Sequence, residues 1–221
     1  MTDQLSQRFD VRDKFRLQAL EAAARAIRAG QCIVLPTDTV YGIGADAYNA
    51  HAVQSLLNAK ERGRDMPPPV LIAEAEMLAA LVADLPQAVE DLCQECWPGA
   101  LTLIMKAQAD LGMDLGRTAG TIAVRVPDEE STRELLRWTG PLAVSSANIS
   151  GRPAAMSIDE AYEMLGNKVA VYLDSGPSRL GVASTIVDIA SDPRGRIVRQ
   201  GACELETIRR FLPHCAAKVD S

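Results

Sequence analysis

The sequence predicts a single α/β domain with a twisted mixed sheet and helices packed outside it. Three observations lead there. Short apolar runs that read as buried strands alternate with longer alanine-rich or amphipathic stretches that read as helices. Glycine and proline stand at most of the junctions. No shift of composition divides the 221 residues, a length sufficient for one buried core.

Residues 1–14 read as a loose polar lead-in. Residues 17–29 are rich in alanine and leucine and predict a helix, with Gly30 placed to cap its C-terminus. Residues 32–35 form an apolar run that stops at Pro36, as a buried strand would. A loop containing Gly42 and Gly44 follows, then a helix over 50–60 with Asn49 as its N-cap. Pro67, Pro68 and Pro69 interrupt regular structure before a strand at 70–73. Residues 74–82 and 86–96 predict helices, the second with proline in its first turn. Strands are expected at 101–105 and 121–126, a helix at 129–138 and a strand at 142–144. Ser157 and Glu160 have the spacing of a capping box. Strands at 169–173, 184–189 and 196–198 and a helix at 204–212 complete a domain spanning 15–213, followed by a polar tail at 214–221.

Composition restricts the function classes. Hydrophobic residues make up 48% and aromatics only 4%, so leucine, valine, isoleucine and alanine must build the core. The 23 basic and 29 acidic residues leave a net charge of −6, which argues against bulk attraction to nucleic acid or an anionic membrane. No uncharged run is long and apolar enough to span a bilayer, and the N-terminal residues mix both charge signs, unlike a signal peptide. Five cysteines are an odd number, and reduced thiols in a bacterial-type cytosol explain them more simply than a disulfide framework. The expectation is a cytoplasmic protein without a membrane partner. Cys93 and Cys96 have CxxC spacing, but no second pair completes a zinc site, and they end a helix rather than begin one. Two histidines and no serine-centred elbow argue against a hydrolase triad.

Four segments are polar where a plain core would not need polarity. Residues 36–44, PTDTVYGIG, place hydroxyls and a carboxylate at the carboxyl end of a strand, where α/β proteins bind ligands; a locally closed turn through Asp38 and Thr39 explains them equally. Residues 60–65 gather Lys60, Arg62 and Arg64 after a helix, suited to phosphate or carboxylate oxygens, or simply to solvent beside the helix dipole. Residues 145–151, SSANISG, allow backbone N–H groups to approach an anion, or form an ordinary Ser/Asn turn. Arg125 and Arg199 stand in strand patterns, where a charge needs a partner. Neither a Walker A loop nor GxGxxG is present.

In order along the chain, PTDTVYGIG at 36–44, Lys-x-Arg at 60–62, WPGALTLI at 97–104, TIAVRVP at 121–127, SSANISGRP at 145–153, STIVD at 184–188 and IVRQG at 197–201 resemble the YrdC family of threonylcarbamoyl-AMP synthases. The resemblance spans about residues 30–202 and is closest to the short, single-domain members. It implies a concave basic cleft and a reaction in which L-threonine, bicarbonate and ATP give L-threonylcarbamoyl-adenylate and pyrophosphate. The product serves threonylcarbamoyladenosine modification of tRNA through downstream proteins. It further implies that Lys60, Arg62, Ser146 and Asn148 are catalytic, that these residues with Thr121 and Arg199 bind ATP, and that Thr39, Arg125 and Ser184 bind threonine. Mg²⁺ is expected to arrive on ATP oxygens rather than on protein ligands.

Three departures from the family pattern stand out. Residues 67–72, PPPVLI, contain no histidine where many relatives have one for threonine. Arg64 follows Lys-x-Arg, and Gln200 replaces a proline after Arg199. Two other functions fit the same residues: a non-catalytic module for double-stranded RNA or tRNA, using Lys60, Arg62, Arg64, Arg125, Arg152 and Arg199 as a basic patch, and a carbamoyl-transfer paralogue.

Overall fold

The computed structural model describes residues 6–217. Among the described residues, ten strands form one mixed sheet. In chain order they are β1 (Gln7–Asp10), β2 (Ile33–Leu35), β3 (Gly42–Asp46), β4 (Val70–Leu71), β5 (Leu101–Lys106), β6 (Thr121–Arg125), β7 (Leu142–Ser146), β8 (Val171–Asp174), β9 (Thr185–Asp188) and β10 (Arg196–Arg199). They lie in the spatial order β1-β8-β2-β3-β7-β4-β6-β5-β9-β10. The α-helices are α1 (Arg16–Arg28), α2 (Ala50–Ala59), α3 (Gln87–Cys96), α4 (Glu130–Thr139), α5 (Ile158–Leu165) and α6 (Leu205–Arg209).

The two-residue period of the strands sorts the core onto two faces. Ile33 and Leu35 of β2, Leu71 of β4, Leu142 and Val144 of β7, and Val171 and Leu173 of β8 pack with α1 and α4. Their neighbours Val34, Val70, Ala143 and Tyr172 point the other way, into a core shared with α2, α3, α5 and α6. On the same face as α1 and α4, the strands beyond β4 present residues that pack on no helix. Leu71 pairs with Arg125, Ala123 with Ile104, and Thr102 with Ile186, so these side chains share one face. Their alternates Ile122, Val124, Leu101, Leu103 and Val187 fill the opposite core.

The helix ends follow local rules. Asn49 caps α2, its side chain accepting from the His51 and Ala52 amides at 3.1 Å. Ser157 accepts from the Glu160 amide, while the Glu160 carboxylate reaches back one residue further than a standard capping box, to the Met156 amide. Gly30, at φ +74°, closes α1 with the Gln31 amide donating to the Ala26 carbonyl.

Several elements differ from expectation. Residues 1–14 contain β1, which pairs in parallel with β8 at the sheet edge; residues 1–5 lie outside the described residues. The glycine loop at 42–44 is part of β3. A Cβ on Gly42 would stand 2.6 Å from a Val144 methyl, so glycine is needed for close packing within a strand, not for a turn. Residues 74–82 hold a 3₁₀ turn, Ala75–Ala80, because Leu78 and Leu81 bury at a spacing of three. The 204–212 helix shortens to α6. In the expected polar tail, Cys215 is buried and Ala216 bridges Arg196, while 218–221 lie outside the described residues. No helix among the described residues is long and apolar enough to cross a membrane.

Candidate active site

The helix-free part of the sheet face lines a cavity of about 500 Å³. Four arginines, Arg62, Arg125, Arg152 and Arg199, stand among its lining residues, and no carboxylate does. Met66, Pro67, Pro68, Pro69 and Leu115 make an apolar wall. A chain with net charge −6 therefore concentrates positive charge in one concave place.

Each arginine reaches the cavity by a different backbone device. Arg125 follows from strand alternation: Thr121, Ala123 and Arg125 share the open face of β6. Arg199 would point into the opposite core if β10 alternated regularly. A β-bulge at Val198 lets Ile197 pair with Val187 and Arg199 with Ile186, turning Arg199 onto the cavity face. Its Nε and Nη2 donate to the Ser184 carbonyl at 3.0 and 2.8 Å.

Arg62 is placed by the end of α2. Lys60 is the C-cap of the helix, Glu61 has φ +54°, and the Arg62 amide donates to the Leu57 carbonyl at 3.0 Å. This is a Schellman turn with glutamate in the left-handed position. It sends Lys60 and Arg62 to different sides of the chain. The strain at Glu61 costs about 1 kcal/mol, so Glu61→Gly is expected to raise the urea midpoint by about that much stability. A lowered midpoint would show that the Glu61–Lys168 pair, at 3.5 Å, outweighs the strain.

The predicted site residues divide into those open to the cavity and those that build it. Thr39, Arg62, Thr121, Arg125, Ser146, Asn148, Ser184 and Arg199 all line it. Lys60 does not. It is 2% exposed, and its ammonium donates to the Ser146 carbonyl, to the Asn148 carbonyl at 2.7 Å and to Asn148 Oδ1 at 3.2 Å. All three donors are committed, so Lys60, which the resemblance implies as an ATP ligand, lies behind the 146–148 turn rather than on the cavity wall. Burial, then the nearby charge of Arg62, lower its pKa to about 8 from 10.5.

A stability signature follows from that shift. The unfolded chain retains the Lys60 proton up to about pH 10.5, whereas the folded chain releases it near 8. Lys60 therefore lowers stability below pH 8, and its contribution becomes more favourable as pH rises from 8 to 10.5. The stability of wild type relative to Lys60→Met is expected to increase across that window in chemical melts. A pH-independent difference would contradict the shift.

Asn148 also serves the turn: its amide donates to the Ile149 and Arg152 carbonyls at 3.0 and 2.6 Å. The amides of Ala147, Asn148, Ser150 and Arg152 all donate to carbonyl oxygens and are not open to an anion. Ser146 has a free hydroxyl among the described residues. Thr121 donates to the Thr118 carbonyl at 2.7 Å, and Ser184 shares a 2.8 Å hydrogen bond with Thr102.

Arg125 is already partnered. Nη2 donates to Asp38 at 2.5 Å, Nη1 to Thr39 Oγ1 at 2.8 Å and Nε to the Gly99 carbonyl at 2.8 Å. Asp38 balances its charge, and two of its five N–H groups remain for the amino-acid carboxylate that the resemblance implies. Burial lowers the Arg125 pKa and Asp38 opposes that effect. Arg62 and Arg199 are also lowered, chiefly by burial, and Arg62 donates only to Ser145, at 3.0 Å. Its buried Nε has no partner among the described residues. These two cations gain most from a bound anion.

Sequence reading missed the role of Asp38. Thr37, not Asp38, closes the 37–40 turn, accepting from the Thr39 and Val40 amides at 3.2 Å. Asp38 instead crosses to Arg125 and to the Asp128 amide, at 3.0 Å. Nothing local signals a partner 87 residues away. Thr102 was also missed, although alternation through 101–105 sets it beside Ile104 on the face opposite Leu101 and Leu103. Arg64 leaves the proposed basic patch, pairing with Asp114 and Gln54. Cys93 is buried, while Cys96 lies 3.9 Å from Cys203, sulfur to sulfur.

A family model for Sua5/YciO/YrdC proteins, described as telomere recombination, matches residues 25–201. The chain belongs to the Sua5/YciO/YrdC family. A Mycobacterium tuberculosis (strain H37Rv) protein, named provisionally as a threonylcarbamoyl-AMP synthase, is 44% identical over 97% of this chain and 99% of its own. The threonylcarbamoyl-AMP synthase of Pyrococcus abyssi is 34% identical over 92% of this chain and 60% of its own. A crystal structure of P. abyssi Sua5 complexed with L-threonine superposes with a TM-score of 0.89 at 31% identity, covering 97% of this chain and 62% of that one. This Sua5/YciO/YrdC chain thus spans less than two thirds of the archaeal protein, and the residues lining its cavity all fall within the stretch matched by the family model.

Proposed function

We propose that this chain is a threonylcarbamoyl-AMP synthase, a nucleotidyltransferase that joins L-threonine, bicarbonate and ATP into L-threonylcarbamoyl-adenylate, releasing pyrophosphate and water. The observation that carries this reading is a cavity with four arginines and no carboxylate beside an apolar wall. A polyphosphate needs the cations, and a base and a small aliphatic side chain need the wall. The P. abyssi protein crystallised with L-threonine supports threonine as the amino acid.

An oxygen of N-carboxylated threonine forms a bond to the α-phosphorus as the bond to pyrophosphate breaks. Charge accumulates on the departing pyrophosphate, where preorganised cations act most strongly. Arg62 and Arg199, neither hydrogen-bonded to a carboxylate among the described residues, suit this role. Thr39, its hydroxyl oxygen fixed by Arg125, and Ser184, held by Thr102 and Arg199, suit positioning of the amino acid. Mg²⁺ fits only as a companion of ATP oxygens, since the cavity wall offers hydroxyls and amides but no carboxylate; it would neutralise phosphate charge.

The test is pyrophosphate release from ATP and Mg²⁺ with each amino acid, with and without bicarbonate. Release that requires both threonine and bicarbonate is expected. Release with carbamoyl phosphate and without threonine would favour the carbamoyl-transfer paralogue. Steeply salt-dependent RNA binding without release would favour the RNA module, although the arginines line a small-molecule-sized cavity rather than an extended stripe.

A further inference from the structure

The Lys-x-Arg spacing invites the assumption that both cations hold the nucleotide. Their surroundings differ. Arg62 lines the cavity with most of its donors unused, whereas Lys60 is among the largest fully buried side chains. All three Lys60 acceptors belong to the turn that carries Ser146 into the cavity. The Ser150 amide donates back to the Lys60 carbonyl at 2.8 Å, so one residue at the end of α2 grips the turn at both of its shoulders.

We propose that Lys60 is a positioning residue: it fixes the 146–150 turn from behind and, when protonated, sets a positive charge under the nucleotide without touching it. The inference rests on the ATP-binding function proposed above.

Two physical features support it. Among the described residues no carboxylate pairs with the Lys60 ammonium; its acceptors are two carbonyls and an amide oxygen, which satisfy its hydrogens but leave its charge uncancelled. A charge in a low-dielectric interior is felt farther than one in water, so it adds to the field of Arg62 and Arg199. A burial this costly is retained only where surrounding structure compensates, and here the compensation is a turn of the candidate site. The left-handed Glu61 makes the division of labour possible, since it separates the directions of two side chains only two residues apart.

Hydrogen exchange and ATP binding on the whole chain decide it. In ligand-free Lys60→Met, amides at 147–152 are expected to exchange about tenfold or more faster than in wild type, because the turn loses its three anchors. Lys60→Gln retains N–H donors but no charge. Its exchange is expected to remain nearer wild type, while ATP binds about tenfold more weakly by equilibrium dialysis. A purely structural role would leave ATP affinity in Lys60→Gln unchanged and would overturn the electrostatic half. Unchanged exchange in ligand-free Lys60→Met, with ATP affinity lost, would show a direct ligand and overturn the proposal. If Lys60→Met does not fold, the exchange comparison is made on Lys60→Gln, whose shorter reach is then expected to raise exchange at 147–152 measurably. Failure of wild type to bind ATP would reject the proposed function, while the exchange results would still judge the anchoring.

Discussion

Asp38→Ala is expected to destabilise the protein by about 3–5 kcal/mol, the range for stripping one partner from a buried ion pair. Arg125 and Asp38 side chains are 7% and 3% exposed, so a widowed guanidinium has no water to replace the lost carboxylate. For a domain of this size the loss corresponds to a Tm lower by roughly 6–20 °C. Arg125→Ala should do comparable damage, since it leaves a buried carboxylate with one oxygen, Oδ2, already lacking a partner among the described residues. The pair Asp38→Ala with Arg125→Met is expected to recover at least half of either single loss, because it removes both charges together. Additive losses in that cycle would show that the pair is not the source. Arg125 variants therefore need a stability measurement before any change in threonine KM is assigned to substrate contact.

Arg62→Ala is expected to behave in the opposite way. Arg62 makes one hydrogen bond, to Ser145, and faces the cavity, so its removal should shift Tm by no more than a few degrees. If it stabilises the departing pyrophosphate, kcat/KM for ATP should fall by about 10²–10³-fold. Arg62→Lys keeps a charge without the planar fork and should recover only part of the rate. A parallel collapse of Tm and turnover in Arg62→Ala would reassign it to the fold. The two neighbours in the Lys-x-Arg motif thus have separable signatures: Arg62 in turnover, Lys60 in the exchange of a turn.

Most of the elements and their order were legible in the sequence. Local rules identify the α1 helix with its Gly30 cap, the Asn49 and Ser157 caps, and the short apolar strands, because each depends on neighbours within a few residues. Where legibility failed, distant residues were responsible. Gly42 and Gly44 looked like a loop because the side chains filling their space, Val144 and Leu35, come from neighbouring strands. Residues 7–10 looked loose because their strand identity exists only beside β8.

By itself the sequence determined the α/β character, the family, and which residues gather at the candidate site, since motif order and hydrophobic period are properties of the chain alone. Only the tertiary structure decided what each of those residues is free to do. Hydrogen-bond donors are finite: Lys60 spends its three on the 146–148 turn, Asn148 closes the same turn, and Arg125 is neutralised by Asp38 across 87 positions, whereas a bulge frees Arg199 to face the cavity. Charge and residue type are written locally, but the partners that satisfy them are set by packing.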